Sequence, residues 1–518
     1  MRNAHQVADV RVAESALMAR VPDGMLMQRA AAGLASACAG LLRQVYGSRI
    51  AVLAGTGDNG GDALYAGALL ARRGAVVTAI STGPKAHPGG SAALRGAGGR
   101  VTEAAAGRAA DLIDGAELII DGMLGIGGRG GLREPAATLA ARAGAASGLV
   151  VAVDLPSGID ADTGEVPGAA IRADVTVTFG TWKPGLLIDP GATHAGAAQL
   201  IDIGLRPCLA PASVAALQAS DVAALLPRPT AESDKYRRGV LGILAGSSRF
   251  TGAAVLAVGG AVRGGAGMVR LVTAEQAASV VRQHWPEAVI TVVGGEVPAG
   301  RAVAEAGRVQ AWVAGPGFGT EPSAAAQLAD VMSTSLPVLV DADGITVLAA
   351  HQELLPRSAP TLITPHAGEL ARLLQCDRAA VEARRLEHAR RAVAELGVTV
   401  LLKGSTTVIA TAAGNPPVLV NATGTGWLAT AGSGDVLSGL AGSLLAQGLA
   451  PADAAAVAAY LHGMAARLAA TGADAQQAAG AGRAVAAGRS LAAGAPIGAA
   501  DLIDALPAAI RMAAGSAG

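Results

Sequence analysis

Cysteine is scarce in this sequence, charge is sparse and balanced, and no apolar run is clean enough over its length to suggest a membrane span. The three cysteines, Cys38, Cys208 and Cys376, lie far apart and form no CxxC, which excludes a zinc cage and a disulfide framework and fits a reducing compartment. Charged residues make up 15% of the chain, and 40 Lys and Arg balance 40 Asp and Glu, so no global field draws it to nucleic acid or to an anionic membrane. Any anion must be bound locally. Arg2, Asp9, Arg11, Glu14 and Arg20 break up the start of the chain and leave no signal-peptide core. Arg263 and Arg270 interrupt one Ala-rich stretch, and His462 and Arg467 another. A cytoplasmic protein engaging neither nucleic acid nor membrane is expected.

Aromatics are also few, at 2%, yet hydrophobic residues reach 51%, which excludes disorder and indicates a globular chain. Its 518 residues exceed what one core serves, and at roughly 150 residues per domain they suggest about two to four domains. Short apolar runs ending in Gly or Asp alternate with Ala-rich stretches of helical length: Ile50–Ala54, Val76–Ile80, Leu118–Ile120, Leu149–Val153 and Val175–Phe179. A second series comprises Val240–Leu244, Val309–Ala314, Pro337–Val340, Thr361–Ile363 and Val398–Leu402. This is the rhythm of βαβ units with parallel strands. Between the series lie Pro207, Pro211, Pro227 and Pro229, with one amphipathic segment from Val214 to Leu226, so the boundary is placed near residue 225. The fold class is α/β in two domains, 1–225 and 226–518, the first of them Rossmann-like and doubly wound.

In the first half, Gly55-Thr-Gly57-Asp58-Asn59-Gly60-Gly61-Asp62 satisfies GxGxxG after a strand. A standard dinucleotide site is disfavoured, because the next strand ends Ile80-Ser81-Thr82 without an acid for a ribose, and Asp58 and Asp62 would repel a pyrophosphate. The carboxylates either cap the helix or hold a cation or a reactive hydroxyl. Two further strand ends carry oxygen ligands, Asp121-Gly-Met-Leu-Gly125 and Asp154-Leu-Pro-Ser157-Gly-Ile-Asp160. Asn59, Asp121, Asp154 and Ser157 can meet at the carboxyl ends of the strands, where an Asn, one carboxylate and a hydroxyl suit a monovalent cation better than magnesium or zinc.

This loop, the Asp-x-x-x-Gly strand end and the Val-Asp-x-Pro-Ser-Gly-x-Asp stretch resemble the amino-terminal domain of NAD(P)HX epimerases over roughly residues 5 to 210. The resemblance implies a potassium ion on Asn59, Asp121 and Ser157. It implies substrate binding by Asp58, Asn59, Gly60, Gly61 and Asp62, by Gly125, Ile126, Gly127, Gly128, Arg129, Gly130 and Gly131, and by Asp154. The family usually reads Asn-Asn-Gly-Gly-Asp-Gly where this chain has Asp58 and Ala63 at the ends. Asp154 is the first candidate for the epimerase base, with Lys183 of Trp-Lys-Pro-Gly as the alternative.

In the second half, Thr423-Gly-Thr-Gly426 and Ala431-Gly432-Ser433-Gly434-Asp435 lead into an Ala-rich helix. Small residues let backbone N–H groups converge on an anion at a helix amino terminus, and Asp435 beside a phosphoryl group makes sense as a base for a hydroxyl. A capped helix is the simpler alternative. Neither GxxxxGK[ST] nor GxSxG is present, which disfavours a Walker NTPase and an α/β-hydrolase.

Gly-Ser-Gly-Asp here resembles the ribokinase-like superfamily. Lys235-Tyr-x-Arg-Gly239, Gly246-Ser-x-x-x-Thr-Gly252-Ala253, Gly315-Pro-Gly317, Asp341-Ala-Asp343-Gly, Thr364-Pro-His366-x-Gly-Glu369 and Leu402-Lys403-Gly are similar to its ADP-dependent NAD(P)HX dehydratase branch over roughly residues 230 to 510. The resemblance implies that Ala253, Gly317, His366 and Asp435 face the hydrated nucleotide. It also implies that Lys403, Gly404, Ser405, Thr406, Thr407 and Gly434 bind the adenine nucleotide, with Asp435 catalytic. Together the halves imply a bifunctional repair enzyme for NADHX and NADPHX that uses ADP as co-substrate, potassium in the first half and magnesium in the second, and forms a homo-oligomer. A small-metabolite kinase and a first half that binds without catalysing remain rival readings of the residues alone.

Overall fold

The short β-branched runs form strands because their side chains fill both faces of a sheet whose two sides are covered by helices. The computed structural model describes residues 1–83, 86–104, 108–293, 301–412, 417–471 and 494–517. The described residues divide into two units, one of residues 3–214 and the other of Met1–Arg2 with the described residues from Ala215 onward.

After a short amino-terminal strand β1 (Arg2–Ala4), the first unit contains β2 (Arg49–Ala54), β3 (Val76–Ser81), β4 (Arg100–Glu103), β5 (Leu118–Gly122), β6 (Leu149–Val153), β7 (Val175–Phe179) and β8 (Ala197–Ile201). The order is β4-β3-β2-β5-β6-β7-β8, with all neighbours parallel. Along β2, Ile50, Val52 and Ala54 enter one apolar layer while Ala51 and Leu53 enter the other. The chain winds outward from β2 and then restarts at β5 on its other side. That reversal opens a crevice at the carboxyl ends of β2 and β5, the position where open α/β sheets bind ligands. The edge strands β4 and β8 escape a reading by apolar runs, since Arg100-Val-Thr-Glu103 is mostly polar and no residue of either strand is fully buried.

The second unit adds β9 (Val214–Ala216), β10 (Val240–Leu244), β11 (Met268–Ala274), β12 (Val289–Val293), β13 (Ala311–Ala314), β14 (Val338–Val340), β15 (Thr361–Ile363), β16 (Thr399–Leu402), β17 (Thr407–Ala410) and β18 (Val418–Asn421). The sheet order is β1-β9-β18-β17-β16-β15-β14-β13-β10-β11-β12. Strands β10 to β16 pair in parallel, whereas β16, β17 and β18 form an antiparallel meander that the parallel rhythm does not anticipate. Here the winding reverses between β10 and β13. The segment Val214–Leu226, read from the sequence as one amphipathic stretch of the first half, is instead β9 followed by a helix over Ala219–Leu225. The strand joins the second sheet and the helix packs on the terminal helix Ala499–Ala514, so the units part at residue 214 rather than near 225.

Two helices of the second unit, Thr251–Arg263 and Ser433–Ala446, approach almost backbone to backbone. A Cβ on Gly439 would lie 1.9 Å from the Ala257 carbonyl oxygen, and one on Gly260 would lie 2.3 Å from that of Val436. This contact sets the height of the Gly432–Asp435 turn above the sheet. Replacing Gly439 by Ala should overpack the contact and cost about 1–3 kcal/mol, seen as a lower urea midpoint for the second unit. Gly40→Ala has no heavy atom within 4 Å of the new methyl, and it should be neutral or slightly stabilising.

Candidate functional site

In the first unit, β2 ends in the Gly55–Gly57 turn, and the helix Asp58–Arg72 starts at once. Glycine is required at Gly60 because a Cβ would come 2.2 Å from the Gly55 carbonyl oxygen. Beside this turn, Asp121 at the end of β5 is fully buried and accepts from the Ser157 hydroxyl (2.6 Å), the Ser157 N–H (2.8 Å) and the Met123 N–H (3.2 Å). Ser157 Oγ in turn accepts from the Leu124 N–H at 2.8 Å, which ties the 154–160 loop to the glycine-rich segment. Burial, opposed by the Ser157 hydrogen bonds, pushes the Asp121 carboxyl up to about 6. Asn59 closes the arrangement. Its Oδ1 lies 2.9 Å from where a Gly125 Cβ would sit, and its buried amide nitrogen has no hydrogen-bond partner among the described residues.

The Asn59 side-chain oxygen with one carboxylate and one hydroxyl makes a donor set that fits a hard monovalent cation, while the orphaned Asn59 amide nitrogen is a donor left for an acceptor on a bound molecule. Among the described residues, no cluster of three His, Cys, Asp or Glu side chains is placed to hold a metal ion, so the donor set lacks the charge of a divalent cage. Further along the strand ends, Asp154 adopts the left-handed conformation (φ 65°), uncommon for a residue with a side chain. Its Oδ1 accepts from Lys183 Nζ, from Thr178 Oγ1 at 3.0 Å and from the Phe179 N–H at 3.3 Å. Lys183 is buried and also donates to Thr178 Oγ1 and to the Phe179 carbonyl, both at 3.0 Å. Burial, together with the charges of Asp154, Asp58 and Glu14, holds the Asp62 carboxyl well above the usual range. In the glycine-rich segment, Ile126 is half-buried while Gly127, Arg129 and Gly130 are exposed. Gly131 is pressed against Gly168, whose Cα would be 2.6 Å from an added Cβ.

The second unit gathers its residues at the carboxyl ends of β10, β13, β14, β15 and β16. Gly317 (φ 59°) lies against Ala253, with 2.6 Å between an added Cβ and the Ala253 Cβ. Gly432 (φ 84°) turns the chain into the helix Ser433–Ala446, which brings Gly434 and Asp435 into its first turn. Lys403, just past β16, reaches under this turn: its Nζ is 3.5 Å from where a Gly434 Cβ would sit and 2.7 Å from Asp341 Oδ1. Ser438 donates to the other Asp341 oxygen at 2.6 Å. The Asp435 carboxyl is pushed up to about 7 by burial and by the Asp341 charge, with Lys403 opposing. Burial would lower the Lys403 ammonium, but Asp341, Glu369 and Asp435 outweigh it and hold it above its ordinary value.

His366 caps the helix Ala367–Leu373: its Nδ1 accepts from the Gly368 and Glu369 N–H groups, and its backbone N–H donates to the Glu369 carboxylate. Its ring is exposed, and burial of part of it with nearby Lys403 and Arg378 lowers its pKa, so it presents a neutral Nε2. Gly404 and Ser405 are exposed on the turn, whereas Thr406 and Thr407 are buried, Thr407 as the first residue of β17.

Several residues here carried no role in the sequence. Asp341 lay within a recognised motif but only the fold shows it gripping Lys403, and Ser438 stands one turn beyond Asp435. His462 donates from Nε2 to the Ser433 carbonyl at 2.9 Å, and burial lowers its pKa to about 4. Glu14, remote in sequence, joins the acids around Asp62.

Comparison with known proteins finds two families in series along the chain. Residues 241–482 match the family described as NAD(P)H-hydrate dehydratase, and residues 23–185 match the YjeF-related protein N-terminus. The chain is similar to the bifunctional NAD(P)H-hydrate repair enzyme Nnr of Mycobacterium leprae, 47% identical over 91% of this chain and 94% of that one. Its similarity to the Mycobacterium tuberculosis enzyme of the same name is 47% over 88% and 92%. A solved ADP/ATP-dependent NAD(P)H-hydrate dehydratase from Bacillus subtilis is 28% identical, covering 57% of this chain and 97% of its own, with a TM-score of 0.47. With two families matched in series and close relatives spanning nearly the whole length, the chain belongs to the bifunctional NAD(P)H-hydrate repair enzymes.

Proposed function

We propose that the first unit interconverts the R and S epimers of hydrated NADH and NADPH at carbon 6, and that the second dehydrates the S epimer with ADP, releasing AMP and phosphate. The observation that carries the second half is Asp435, a carboxyl raised to about 7 in the first turn of a helix whose amino terminus stands over the Lys403 ammonium. Hydroxide is a poor leaving group. Transfer of the ADP β-phosphoryl to the carbon-6 hydroxyl converts it into a phosphate ester and releases AMP; the ring-nitrogen electrons then expel phosphate, and loss of a proton from the adjacent ring carbon restores the double bond of NADH or NADPH.

Asp435 takes the hydroxyl proton as this attack proceeds. The N–H groups of Gly432, Ser433 and Gly434, with the helix dipole behind them, stabilise the charge on the transferring phosphoryl, and Lys403 adds a fixed positive charge. Asp341 holds Lys403 in place, with its second oxygen satisfied by Ser438. Ala253 and Gly317 leave space for the hydrated ring, and His366 offers a neutral hydrogen-bonding nitrogen at its edge. Lys403 to Thr407 and Gly434 receive the adenine nucleotide. Magnesium would arrive on the nucleotide phosphates, whose charge it offsets.

In the first unit, Asn59, Asp121 and Ser157 would hold potassium, which would supply fixed positive charge beside the substrate phosphates. Asp58 to Asp62 and Gly125 to Gly131 line the nucleotide, and Asp154, locked by Lys183 and Thr178, acts as the epimerase base. The free thiols of Cys38, Cys208 and Cys376 support a reducing, cytoplasmic setting. A homo-oligomeric assembly belongs to the same reading, and light scattering of the purified chain tests it.

The direct experiment incubates the full chain with an epimer mixture of hydrated NADH, with and without ADP, and follows the absorbance of restored NADH. Complete consumption with ADP and none without it is expected; loss of only half the mixture would remove the epimerase assignment. Asp121→Ala should weaken potassium binding and slow epimer exchange while leaving ADP-dependent dehydration of pure S epimer intact. Equal exchange rates in potassium and sodium buffers, with a fully active variant, would exclude the cation role. Asp435→Asn should lower dehydratase turnover by about 10²–10⁴-fold with little change in nucleotide binding. Because a base works deprotonated, wild-type turnover should rise about tenfold per pH unit below a midpoint of about 7 and level above it, and the variant should lose that limb.

A further inference from the structure

We propose that Arg385 is a positioning residue for the nucleotide, acting through the backbone of the Lys403–Thr406 turn; this rests on the reading of that turn as a nucleotide-binding loop. Arg385 opens the helix Arg385–Leu396 and is buried. Its Nη2 donates to the carbonyl oxygens of Leu402 at 3.1 Å, Lys403 at 2.9 Å and Thr406 at 3.1 Å. One guanidinium nitrogen thus gathers the oxygens that bracket the turn from β16 to β17.

A trans peptide points its N–H opposite to its C=O. Drawing the Lys403 carbonyl inward to Arg385 therefore turns the Gly404 N–H outward, onto the exposed side of the loop. The Lys403 N–H is separately engaged, donating to the Pro365 carbonyl at 2.8 Å, which fixes the register from which the Lys403 side chain leaves. An anion approaching the loop then meets an N–H and an ammonium, with the repelling carbonyl dipoles withdrawn behind it. The guanidinium adds positive potential from below. Glycine at 404 follows from the same contact, since a Cβ there would lie 2.4 Å from Arg385 Nη2. Lysine cannot reproduce the grip, because its nitrogen lies one bond closer to the backbone than Nη2 and falls short of the three oxygens.

Steady-state kinetics and direct ADP titration of the full chain test this, with epimer exchange in the other unit as a check that the protein is folded. Arg385→Lys should raise KM for ADP about tenfold while changing kcat and KM for hydrated NADH less than about twofold. Gly404→Ala, which pushes the guanidinium aside without removing it, should shift KM for ADP in the same direction and carries the test if Arg385→Lys does not fold. Unchanged ADP affinity in the folded variants, or a parallel fall of kcat and both KM-dependent rates, would overturn the positioning role. Lys403→Met separates the two levels. If it weakens ADP while Arg385→Lys and Gly404→Ala do not, the loop reading stands and the Arg385 inference falls; if it leaves ADP binding unchanged, the loop reading itself falls.

Discussion

Both sites depend on strand polarity. In each unit the central strands run parallel, so every β-to-helix turn emerges on the same edge of the sheet, and the winding reverses once, between β2 and β5 in the first unit and between β10 and β13 in the second. At such a reversal the helices diverge to opposite faces and leave a crevice. The residues that matter need not be near in sequence; each need only stand at or just past the carboxyl end of its strand. Asp121 is one of the last two residues of β5, Asp154, Asp341 and Lys403 directly follow β6, β14 and β16, and His366 is three residues past β15.

The second determinant is how a chain with little charge places the charge it has. A lone buried ion is expensive, and a carboxylate left without a partner takes up a proton instead. Asp154 is paired with Lys183, and Asp341 with Lys403 and Ser438. Asp62 and Asp435 have more acid than base around them, and both rise above the ordinary carboxylate range. The partners hold Asp154 and Asp341 in fixed geometry, and Asp435, raised to about 7, is poised to exchange a proton near neutral pH.

Glycine contributes through close approach as well as through turns. Gly260 and Gly439 let two helices of the second unit touch along their backbones, and Gly432 then bends the chain so that the helix amino terminus stands over Lys403. The abundance of small residues and the scarcity of aromatics express one packing solution, in which thin helices lie close to a wide sheet and aim their amino termini with little freedom.

The α/β class, most central strands and the motif residues at their ends were legible in the sequence, because β-branched runs followed by Gly or Asp report local chemistry: burial on both faces of a strand and a tight turn after it. The polar edge strand β4, the antiparallel strands β17 and β18 and the place of β9 were not, because pairing at an edge or in a meander is chosen by neighbours remote in sequence. The same division runs through the sites. Asn59, Ser157, Gly434 and Asp435 announce themselves in short motifs, since their spacing is what a helix amino terminus or a strand-end turn requires. The grip of Asp341 on Lys403, the pairing of Lys183 with Asp154 and the reach of Arg385 across three carbonyls were settled only by tertiary structure, because each joins elements whose separation in space is set by the order of strands in a sheet and not by their distance along the chain.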